Sequence, residues 1–98
     1  MEYTIKEQMM IKNFKDLYFL ALADKMDIED KEDFDLMIAV NEPRLDKIVK
    51  DFKMEHFPNK EMGKEFGSYT TSILAETFDV KRVAQIVQFL EMMQGGFN

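Results

Sequence analysis

A chain of 98 residues, 46% hydrophobic and carrying nine Phe and three Tyr, has the length of one domain and ample material for one core, which excludes a disordered polymer. A domain this small buries roughly 60 to 65% of the surface its unfolded chain exposes, so little is left over for a deep cleft. The formal net charge of −6 argues against broad affinity for nucleic-acid phosphates, and the absence of Cys excludes disulfides, thiolate-held zinc and a thiol nucleophile.

The longest apolar run, Leu17 to Ala23, is too short to cross a bilayer. It lies behind Lys, Glu and Asp residues that no signal-peptide n-region would carry. Neither a targeting segment nor a membrane span is expected, and the lack of Cys fits a reducing, cytoplasmic compartment.

Along the chain, Thr4-Ile-Lys-Glu7 reads as a capping box opening a first helix that runs to about Lys25. Met10, Phe14, Leu17, Tyr18 and Ala21 share one face of it, while Phe19 and Leu20 point elsewhere. A helix apolar nearly all round should be central, or shared with a second subunit. Asp27 as N-cap would start a second helix near Ile28, ending at Asn41-Glu-Pro43. A third would begin at Pro43, with Leu45, Ile48, Val49 and Phe52 inward and Asp46, Lys47, Lys50, Asp51 and Lys53 outward.

From Asn59 to Phe78, Met62, Phe66, Tyr69 and Ile73 keep helical spacing, but Gly63 and Gly67 interrupt it. A break at Gly67-Ser68 is expected, with residues 68–73 either helical or a short extended piece rich in strand formers. The last helix runs from Asp79 as N-cap to a stop at Gly95, with Val80, Val83, Val87 and Leu90 as its core stripe. The expected fold is therefore all-α: one domain, residues 1–98, as a bundle of four to five short helices.

The strongest asymmetry is Asp24 to Asp35, where seven carboxylates meet only Lys25 and Lys31, so that five of the six net negative charges fall in one segment. Glu29 and Asp30 would suit the dipole of a helix starting at Ile28. Glu32, Asp33 and Asp35 would lie deeper and add like-charge neighbours, each costing about 0.2 to 0.5 kcal/mol on an exposed helix. Such an uncompensated cost points to a surface that meets a basic partner. Beyond Arg82, Glu91 is the only charge on the last helix. Ile86, Phe89, Met92 and Met93 beside neutral Gln85 and Gln88 form a second contact face, for a partner or for a homodimer. Met9 and Phe97 are further contact candidates, while Met37, Met54 and Met62 read as core filler.

Other chemistries fit less well. An EF-hand frame fails because position three from Asp24 is Met26, position five from Asp27 is Lys31, and no Gly lies between Met1 and Met62. Lone His56 reads as a helix-end cation rather than a metal ligand. No phosphate loop, dinucleotide fingerprint or base-activated nucleophile occurs, so no enzyme, cofactor or metal is expected. Tyr69 to Glu91 has helix-turn-helix spacing, but its second-helix core positions counted from Ala75 would be Gln85 and Gln88, and Asp79 stands where the turn wants Gly. Direct DNA reading is disfavoured, whereas the acidic segment could instead mimic a nucleic-acid backbone. The expectation is a small regulator, adaptor or inhibitor that docks a basic protein surface through Glu29, Glu32, Asp33 and Asp35, with Ile86, Phe89, Met92 and Met93 adding apolar contact; the alternative is a structural homo-oligomer built on the last helix.

Overall fold

The computed structural model describes residues 2–95, so Phe97 lies outside the described residues. They form an all-α bundle of α1 (Ile5–Lys25), α2 (Lys31–His56), α3 (Lys64–Thr77) and α4 (Val80–Gly95). The central position foreseen for the first helix is what its composition produces: α1 packs against each of the other three, and α3 also packs against α4. Phe14, Tyr18, Phe19 and Ala21 of α1 are buried together with Leu45, Val49, Phe66 and Leu74. Aromatic edges lock this core, with Tyr18 perpendicular to Phe19 and close to Phe78 (5.1 Å).

The capping box forms as read, with the Thr4 hydroxyl accepting from the Glu7 N–H and the Glu7 carboxylate accepting from the Thr4 N–H. Asp79 caps α4 by accepting from the Lys81 N–H at 2.8 Å.

Two expected breaks do not occur. Pro43 lies inside α2, which runs straight through it. The ring removes the amide that would serve the Ala39 carbonyl, yet Ala39 and Pro43 are both exposed, so solvent reaches that carbonyl. Burial of Met37 before the proline and Leu45 and Val49 after it holds the two halves in one helix. Gly67 likewise lies inside α3, so residues 68–73 are helical rather than extended. Phe66, Thr70 and Leu74 recur every four residues against the core, and tertiary burial overrides the strand propensity of Tyr69-Thr-Thr. The Thr70 and Ser72 hydroxyls donate back to the Gly67 and Ser68 carbonyls, satisfying those groups within the helix.

Nothing lies within 4 Å of a Cβ built at Gly67. Gly67→Ala should therefore raise stability by about 0.4 to 1 kcal/mol, because it removes unfolded-state freedom without a clash. A urea midpoint that fails to rise would contradict this.

A second difference concerns Lys53, expected on the outer face of α2. It is buried, and its ammonium donates to Glu7 Oε2 at 2.6 Å. The same oxygen accepts the Met62 N–H at 2.9 Å, so one carboxylate ties α1, α2 and the α2–α3 loop together. Burial pushes the Glu7 carboxyl up, but the bonds from Lys53, Met62 and Thr4 outweigh it and hold the group below its ordinary value of 4.5.

Candidate functional site

The acidic segment spans the end of α1, the turn after it and the start of α2. Asp24 accepts a two-pronged bond from Arg82 of α4 (2.6 and 2.9 Å), which lowers its pKa. Asp27 is not an N-cap. It sits at φ 55°, just past the end of α1, where the Ile28 N–H reaches the Ala23 carbonyl at 2.9 Å and the Asp27 N–H reaches that of Asp24 at 3.2 Å. This is a Schellman ending with Asp where Gly is usual, a substitution that a short polar side chain tolerates.

The N-cap of α2 is instead Asp30, which accepts from the Glu32 N–H at 2.7 Å. The three-residue shift changes the energetics. Glu29 now precedes the helix, and Glu32 and Asp33 occupy its first turn, where the dipole favours anions. Asp35 is paired with Lys31 at 2.7 Å. The like-charge cost inferred from a start at Ile28 is thus largely absent, and these carboxylates sit where a helix accepts them.

Five remain exposed with no cation partner among the described residues: Asp27, Glu29, Glu32 and Asp33, together with the N-cap Asp30, whose one bond is to a backbone amide. Beside them lies an apolar groove of ≈ 380 Å³ that the sequence reading missed, bounded by Met26 and Ile28 on the turn and by Leu36, Met37 and Val40 on α2, with Asp33 in its lining. Leu36 and Val40 are 64% and 69% exposed, although Met37 beneath them is buried. A signal existed in the sequence: Leu36 and Val40 are one turn apart on the side of α2 away from Phe34 and Ile38.

The second expected face lies on α4, at a distance in sequence from the acidic segment. Phe89 and Met92 are 60% and 73% exposed, and Met93 is exposed as well. Ile86 is half-buried against the core and also lines a second hollow with Leu20, Phe89 and the Asp24–Arg82 pair. Val80, expected in the core stripe, is exposed, and Val83 and Ile86 do the packing. Where α4 packs against α1 and α3, Val83 and Ile86 are the side chains that meet the core. Met37 and Met62 are core filler, while Met54, expected to join them, is exposed alongside Met9.

Other titratable groups are engaged in ordinary ways. His56 rests against Phe52 at the end of α2, with ring centroids 4.9 Å apart. Lys15 bridges Glu42 at 3.1 Å and Asp46, and these bonds raise its pKa against the lowering effect of burial. Among the described residues no group of three His, Cys, Asp or Glu side chains could hold a metal ion, and no helix is long and apolar enough to cross a membrane. Comparison with protein-family models, with curated proteins and with solved structures finds no match.

Proposed function

We propose that this chain is a non-enzymatic protein-binding module, a cytoplasmic regulator, adaptor or inhibitor, that docks a basic partner surface through its acidic segment. The observation that carries the reading is a set of exposed carboxylates, Asp27, Glu29, Glu32 and Asp33 beside the capping Asp30, left without cations of their own next to exposed apolar side chains. Asp35 and Asp24 are spent on internal pairs and contribute less. Opposite charges steer the encounter, and apolar burial then holds the complex. Against direct DNA binding stands the use of Arg82 in the Asp24 pair, which leaves α4 with Lys81 as its other cation.

The test is capture from an extract of the native host, with the wild-type chain and an Asp27→Asn, Glu29→Gln, Glu32→Gln, Asp33→Asn variant immobilised side by side. The expected result is a basic protein that the wild type retains at low salt, that elutes as ionic strength rises, and that the variant does not hold. Equal retention by the variant would contradict the reading. A second reading, a homo-oligomer joined through α4, is favoured by the exposure of Phe89, Met92 and Met93 on a face almost free of charge. Monomeric light scattering at millimolar concentration would remove it.

A further inference from the structure

We infer that the groove between the α1–α2 turn and the outer face of α2 is the seat of an amphipathic, lysine- or arginine-rich helix supplied by the partner. This rests on the docking reading above and names the form its ligand takes. The groove has a buried floor, Met37, and two exposed ridges, Leu36 and Val40, spaced one helical turn apart. That spacing matches apolar side chains at i and i+4 of a partner helix lying along α2.

The described residues include no β-strand, so an extended peptide would find no sheet edge to extend, and a helix that satisfies its own backbone is the economical guest. Met26 at the wall and Met37 at the floor are flexible enough to follow the guest's side chains.

Charge complementarity selects the occupant. Asp33 lines the groove, and Asp27, Glu29 and Glu32 are the chain neighbours of its lining residues Met26, Ile28 and Asp33 at the turn end. Toward the other end α2 continues into Arg44, which donates to the Tyr18 hydroxyl, and Lys47, which pairs with Asp51. The acid is therefore at one end only, and the guest carries its cations at the end that meets the turn. A second copy of the chain is a poor occupant, since it would bring its own net charge of −6 to the same place.

The test uses fluorescence anisotropy with the full chain and three stapled helical peptides of about 15 residues, a length that is marginal without the staple. One carries Leu at i and i+4 with Lys clustered at one end; the second has Ser for Leu; the third has Glu for Lys. The first should bind. Affinity should fall by about tenfold or more for the Leu-to-Ser peptide and for a Leu36→Ser, Val40→Ser variant, and the Glu peptide should not bind. Both substituted positions are exposed, so the variant should keep wild-type circular dichroism.

Binding that responds to the charge changes but to neither apolar change would overturn the groove as the seat and leave acidic docking standing. Binding indifferent to the charge changes would overturn both. Failure of all three peptides up to about 1 mM, equivalent to only about 4 kcal/mol, would overturn the groove inference, with the capture experiment still deciding the wider reading.

Discussion

Glu7→Ala is expected to destabilise the fold by about 3 to 5 kcal/mol, because it leaves the Lys53 ammonium buried without its counter-charge and the Met62 N–H without an acceptor. Against a total stability on the order of 5 to 15 kcal/mol, this is among the largest single losses available to the molecule. Lys53→Met should cost less, since the carboxylate left behind still accepts the Met62 and Thr4 amides. Chemical denaturation of both variants checks the asymmetry, and equal losses would contradict it.

The same clamp predicts a pH dependence. Glu7 has a depressed pKa in the folded state, so its contribution is fully present above the ordinary value of 4.5 and is lost as pH falls through the lower folded value. Glu7→Gln should flatten the stability curve below about pH 4.5 and leave its slope near neutrality unchanged. A wild-type curve parallel to that of the variant throughout would contradict an ionised Glu7 in the clamp.

Phe66→Ala is the second large effect, expected to cost about 3 to 5 kcal/mol through lost burial and the cavity left behind. Its ring stands perpendicular to Phe14 at 6.2 Å and lies 6.1 Å from Phe52, so it joins α3 to both α1 and α2. Phe89→Ala provides the contrast, because that ring is exposed and its removal should shift stability by under about 0.5 kcal/mol. A large loss at Phe89 would mean that α4 is covered in solution and would favour the homo-oligomer.

The first helix was legible from Thr4 to Lys25 because both its ends and its apolar girth are written in local residue types. The inward set Leu45, Ile48, Val49 and Phe52 was legible for the same reason. Pro43 and Gly67 misled because each is a strong local signal for a break, while the burial that keeps α2 and α3 continuous comes from residues distant in sequence.

Asp27 and Asp30 compete for one role, and both types suit a cap; the choice falls to Asp30 because the end of α1 uses Asp27 in its left-handed position. The acidic face at Glu29, Glu32 and Asp33 could be read directly as exposed charge, although the inferred strain beneath it could not survive a helix start moved to Lys31. Lys53 was misread as outward, and the structure buries it. It follows Val49 by one turn, but its partner Glu7 lies 46 residues away and announced itself only as half of a capping box.

The most direct probe of acidic docking is the rate at which the captured partner associates, followed by stopped-flow at increasing ionic strength with the wild-type chain and with the variant neutralised at Asp27, Glu29, Glu32 and Asp33. Steering by those carboxylates predicts a wild-type rate that falls about tenfold or more between about 20 and 300 mM salt, and a variant rate that is slow and nearly flat. A wild-type rate insensitive to salt, or a variant with the same salt dependence, would contradict it.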